Sequence, residues 1–152
     1  MKITKEWLKE KEACPKGIDW FNAQDETNGI KVVKKLMTEK KLGWANWLIV
    51  RIMNYNQYTA YAIYAAEQVI NIYEKQYPND TRPRNAIEAA KLCLKNPSKE
   101  NKSAAYAAAN AAAYAAYAAA NAADAAVAAN YAADAAMKTI ILEYGLRLLE
   151  EL

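Results

Sequence analysis

Arg82 and Arg84 stand on either side of Pro83 in "NDTRPRNAIEAAK", a spacing that could do chemistry. A proline in the first turn fixes a helix start, so the unpaired N–H groups and the positive end of the helix dipole converge where the two guanidinium groups lie. That arrangement can hold a phosphate or another anion. It can equally be structural: Arg84 can pair with Glu88 one turn on, and Arg82 with a carboxylate such as Glu67 or Glu74 on the preceding helix. A second patterned set lies between 104 and 136, where alanine is broken every three or four residues by Tyr, Asn or Asp. Tyr106, Asn110, Tyr114, Tyr117, Asn121 and Asp124 fall within an arc of about 80° on a helix that turns about 100° per residue. Beyond Asp124 the pattern drifts to one side through Val127, Tyr131 and Asp134. Three uses are open for the stripe: a solvated face, a subunit or partner interface, or the wall of a polar cleft for a small ligand. The expected binding surface is Tyr114, Tyr117 and Asn121, with Asp124 and Asn110 at its edges and Tyr131 alongside.

Other chemistry is removed by composition. The histidine count is 0, which takes away the commonest general base and zinc ligand and every Ser–His or Cys–His pair. Serine is confined to Ser98 and Ser103, and the glycines stand alone, so no phosphate-cradling loop is present. Cys14 and Cys93 have neither disulfide-framework nor metal spacing and read as reduced thiols of a cytoplasmic protein. No catalytic residue, metal or cofactor is expected, and the chain is not read as an enzyme. The 20 basic and 17 acidic side chains give a net charge of +3, too small and too interleaved for a duplex nucleic-acid partner. No apolar run approaches the roughly 18 residues needed to span a bilayer, and no secretion signal leads the chain.

The elements that must position these residues are all helical. Thr4 can cap a short helix carrying Trp7 and Leu8, and Pro15 opens a second, over 15–24. A Lys-rich helix near 30–41 presents Ile30, Val33, Leu36 and Met37 to the interior. The run "LGWANWLIVRIM" reads as a buried helix, "NYNQ" as a break, and 57–76 as a long helix stopped by Pro78. Asp80 or Thr81 caps a helix over 83–95, and "KNPSKENK" is a linker. An unbroken helix from 103 to 150 would be about 70 Å long at 1.5 Å per residue, so two antiparallel Ala-rich helices, 103–121 and 124–149, are predicted with a break near 122–126. The fold class is therefore all-α: one helical bundle or array over 1–152, divided into 1–56, 57–96 and 103–152, with two packed Ala-rich helices in its C-terminal half.

The order Tyr77, Pro78, Asp80, Arg82, Pro83, Arg84, then Ala86, Ile87, Glu88, Ala89 and Ala90, followed by an alanine–tyrosine array, resembles the immunity-five-like family of bacterial immunity proteins. Cys14, Gly17, Trp20 and Phe21 in "ACPKGIDWF" are similar to the N-terminal part of its phage and mobile-element members. Where family members often carry Gly and His in the second Ala-rich helix, this chain has Asp124 and Tyr131. The resemblance implies a non-catalytic protein of bacterial or phage conflict that neutralises a toxin or a defence component by occupying it. The alternative is a sponge for a small phosphate-bearing nucleotide signal, with Arg82 and Arg84 on the phosphate and Tyr, Trp or Asn on the base. A homo-oligomer is compatible with either.

Overall fold

The computed structural model describes residues 1–104 and 131–150. Tyr114, Tyr117, Asn121 and Asp124, the helix expected over 103–121 beyond residue 104, and the break near 122–126 lie outside the described residues. Tyr131 is the first residue of the last helix, and its side chain is likewise outside them.

The protein is all-α. Its helices are α1 (Lys5–Glu10), α2 (Pro15–Asn22), α3 (Gly29–Thr38), α4 (Leu42–Ile52), α5 (Tyr55–Gln76) and α6 (Arg82–Lys95). They are followed by α7, which opens at 99 and is described through 104, and by α8 (Tyr131–Glu150). Among the described residues the β-type pairing is one isolated antiparallel bridge between Lys2 and Asn28. The chain forms two compact units: Met1–Asn54 together with Lys138–Leu152, and Tyr55–Met137.

In the first unit, local chemistry sets the helix ends. The Thr4 hydroxyl accepts the Trp7 N–H (3.2 Å), Pro15 opens α2, and the Asn28 side chain accepts the Lys31 N–H (3.2 Å). Two helices close in the same way. After α1, Glu12 turns left-handed at φ 57°, with Ala13 N–H bonding Leu8 C=O (2.9 Å) and Glu12 N–H bonding Lys9 C=O (3.0 Å). After α3, Lys40 does the same at φ 58°, with Lys41 N–H on Leu36 C=O (2.8 Å) and Lys40 N–H on Met37 C=O (3.0 Å). Both are Schellman closures, with a charged residue where glycine is usual. α3 therefore ends at Thr38 rather than near residue 41.

The buried face of α3 also differs from the expected one. Gly29, Val32, Val33 and Leu36 are buried, whereas Ile30 is half-buried. The N-terminal segment straps onto this face: Gly29 N–H bonds Met1 C=O (2.9 Å), Ile3 N–H bonds Thr27 C=O (2.8 Å), and Ile3 is fully buried. A Cβ at Gly29 would lie 3.4 Å from Ile3, Ile52 and the Met1 carbonyl, at van der Waals contact, so the strap packs closely against this position. The apolar run is a helix as predicted, α4 burying Leu42, Ala45, Leu48 and Ile49 while Trp44 and Trp47 remain half-buried. Leu142 and Leu146 of α8 join this unit's core, and Lys34 of α3 pairs with Glu150.

The second unit contains a helical hairpin. The break expected at "NYNQ" is shorter and earlier than predicted: Met53 and Asn54 alone separate α4 from α5, which begins at Tyr55 rather than at 57. α5 stops at Gln76, two residues before Pro78, and α6 returns antiparallel to it. Ile63, Ile70 and Ile87 form the buried seam, with Ala66, Ala90 and Leu94 packed around it. Burial of Tyr61 pushes its phenol up to about 12.

Candidate functional site

The turn between α5 and α6 is built on Asp80. Thr81 precedes the helix but caps nothing with its side chain; Asp80 does that work instead, its Oδ1 accepting the Arg82 N–H at 3.1 Å. The same carboxylate takes the Arg82 side chain bidentately, Nε at 2.8 Å and Nη2 at 2.7 Å, and accepts the Tyr73 hydroxyl at 2.7 Å. Arg82 first, then Tyr73, hold the Asp80 carboxyl far below the usual carboxylate range, and Asp80 in turn raises the Tyr73 phenol. Tyr77 stacks on Tyr73 with ring centroids 4.9 Å apart. A hollow of about 530 Å³ runs along residues 76–82.

Arg84 points across the hairpin. Its Nε and Nη2 grip the Glu74 carboxylate at 2.8 and 2.6 Å, and Nη2 also reaches Asn71 Oδ1 at 3.5 Å. Arg84 is the main cause that holds Glu74 low. One helical turn pair further on, Lys91 bridges Glu67 (2.6 Å) and Glu88 (3.0 Å). The partners therefore differ from those the sequence suggests: Arg84 takes Glu74 rather than Glu88, Arg82 takes Asp80 rather than Glu67 or Glu74, and Lys91 collects Glu67 and Glu88. The antiparallel alignment explains this, since it sets residue 84 opposite 74 and 91 opposite 67. Both guanidinium groups thus spend donors on carboxylates, which leaves the turn an ordered, neutralised clamp. Tyr73 and the hub role of Asp80 had no signal in the sequence beyond the cap position, because the contact joins residues seven apart across a turn.

Arg82 and Arg84 are brought to one end of the hairpin; Tyr114, Tyr117, Asn121 and Asp124 lie outside the described residues, and so does the side chain of Tyr131. Among the described residues no group of three His, Cys, Asp or Glu side chains is arranged to hold a metal ion. Among them also, no helix is long and apolar enough to cross a membrane.

Among the described residues four large apolar side chains of this hairpin face solvent: Tyr55 (59 % exposed), Tyr58 (49 %) and Ile72 (66 %) on α5, and Leu92 (58 %) on α6. Tyr58 and Ile72 are separated by 14 positions (72 − 58), which puts them within about 40° of one another around α5. No curated protein and no solved structure matches the chain. Residues 50–99, which hold the end of α4 and the whole α5–turn–α6 hairpin, match the family described as "Imm-5 like putative immunity protein".

Proposed function

We propose that the chain neutralises a protein of bacterial or phage conflict, a toxin or a defence component, by binding it in the cytoplasm, and that it catalyses no reaction. The observation that carries this reading is the coincidence of the immunity-family match with the α5–α6 hairpin. The hairpin has what a sequestering surface needs. Its turn and its flanks are fixed by the carboxylate clamps at Asp80 and Glu74, so little ordering cost remains for binding. Its exposed Tyr58, Ile72 and Leu92 supply apolar anchors of the kind that protein interfaces use. On sequence grounds alone, the stripe of Tyr114, Tyr117, Asn121, Asp124 and Tyr131 is a second contact surface in the same proposal.

The nucleotide-sponge reading is supported less. A phosphate at Arg82 or Arg84 would have to displace Asp80 or Glu74 from a bidentate contact. Growth rescue separates the two. When the chain is co-expressed with a panel of bacterial toxin domains, relief of growth arrest is expected for a cognate toxin. The double variant Tyr58→Asp, Ile72→Asp should lose that relief while keeping its helical circular dichroism. Undiminished rescue by the variant would remove the hairpin face from the reading. Saturable nucleotide binding by calorimetry, with no toxin relieved, would hand the function to the sponge.

A further inference from the structure

We propose that the first unit carries a binding site for a flat, uncharged aromatic group of one or two rings, in the cavity between α1, α2, α3 and α4. The cavity measures about 250 Å³, and its walls include the indoles of Trp20, Trp44 and Trp47. It lies outside residues 50–99, so the inference stands independently of the immunity reading.

Size and lining set the class. An apolar cavity of about 150 Å³ holds benzene, so this one has room for a fused two-ring system. Leu8, Phe21, Leu36 and Leu48 form its interior, and nothing among them could solvate a charge. Besides the Cys14 thiol, the one acid or base on the lining is Glu12, an exposed residue that disfavours an anion at the mouth. Gly43 keeps one side open, since a Cβ there would meet no atom within 4 Å. Protein cores are packed densely, and unfilled apolar volume sacrifices stability; a site kept open for a ligand is where such a sacrifice is found.

The aromatic preference comes from the walls. Trp20 is fixed by its Nε1–H bond to Glu39 Oε2 (2.7 Å) and by an edge contact with Trp44, centroids 6.5 Å apart. Trp47 is held edge-on by Trp7, centroids 6.5 Å apart at 78°, and the Arg51 guanidinium carbon lies 4.0 Å from its ring centroid. Arg51 does not line the cavity, so the cation and the cavity use different parts of the indole. Walls held this way do not have to be ordered by the ligand. A flat ring can meet one indole by its face and another by its edge, the geometry that ring quadrupoles favour, and a saturated ring cannot.

Calorimetry with indole as probe tests this. Wild-type protein should give a saturable one-to-one isotherm with indole and bind cyclooctanol, an aliphatic of similar size, about tenfold more weakly or less. Gly43→Phe, which fills the opening, and Trp44→Leu, which removes a wall, should each weaken indole at least tenfold with helical circular dichroism retained. Should either variant lose its helicity, the indole-against-cyclooctanol comparison on the wild type decides alone. The proposal is overturned if indole shows no saturable binding at millimolar concentration, if cyclooctanol binds as tightly, or if both folded variants bind indole unchanged. N-acetyl-tryptophanamide then distinguishes the sources of the ring. Binding as tight as indole's supports a site that accepts a partner's side chain, and binding of indole alone supports a site for a free small molecule.

Discussion

The first unit buries Ile3, Val32, Val33, Ile49 and Leu142 almost completely, drawing them from the N-terminal strap, α3, α4 and α8. The α5–α6 hairpin of the second unit relies on a seam of three isoleucines flanked by alanines, with ion pairs along its edge. One is a core in the ordinary sense, surrounded on several sides by other elements. The other, among the described residues, is a two-helix contact whose apolar seam is accompanied by charged clamps along its edge. Alanine in the seam allows close approach but contributes little transfer energy per residue. The lesson is that the two units rely on different residue types, and that the region matching the immunity family is the one where charged clamps run beside the apolar seam.

Core truncation should expose the contrast most strongly. Ile49→Ala removes a side chain with no exposed surface and should cost about 3 to 4 kcal/mol in chemical denaturation. Ile87→Ala, whose site is already 6 % exposed and whose seam includes two alanines beside Ile63, Ile70 and Leu94, should cost nearer 2 kcal/mol. Equal costs would mean that the hairpin has a fuller core than its alanines suggest.

Acid and base sharpen the comparison next. Asp80 and Glu74 have folded values below their unfolded ones, so their contribution is complete above about pH 5 and is lost as pH falls through the folded values. Tyr61 and Tyr73 are raised, so theirs is complete below about pH 10 and is lost as pH rises, for Tyr61 towards about 12. Amide hydrogen exchange should therefore lose protection in α5 and α6 before α3 and α4 at both extremes. Glu26 and Glu39 are lowered in the first unit too, but they sit at the edges of its larger core. Simultaneous loss across both units would break the distinction.

How much of this was legible in the sequence depended on the range of the contact. Thr4, Pro15 and Pro83 mark helix starts by chemistry within one turn, and the all-α class follows from such marks. The partners of Arg84 and Lys91 were not legible, because they depend on how two helices are aligned across a turn. Val32 in place of Ile30 was hidden for a related reason: the buried face of α3 is chosen by a strap arriving from residues 1–3. The indole-walled cavity depends on the packing of four helices, and a list of tryptophans carries no sign of it. The early end of α3 was missed because glycine is the usual mark of a Schellman closure, and Lys40 takes its place.

The smallest expected effect follows from that last point. Lys40→Gly relieves a left-handed non-glycine residue and should stabilise the first unit by roughly 0.5 to 1 kcal/mol in denaturant titration. A loss of stability instead would show that the Lys40 side chain contributes more than its backbone strain costs.

The first unit is discontinuous in the chain: its strap and first four helices are made early, and Leu142 and Leu146 arrive only after everything from Tyr55 to Met137 has been synthesised. The hairpin needs only short-range closure, so it can form while the ribosome is still at work, whereas the first core waits for a long loop to close. Until then the apolar groups that α8 will cover are open to other contacts, and assembly proceeds from the middle of the polypeptide outwards. Refolding followed separately at amides of α6 and α8 should find α6 protected first; simultaneous protection would contradict that order.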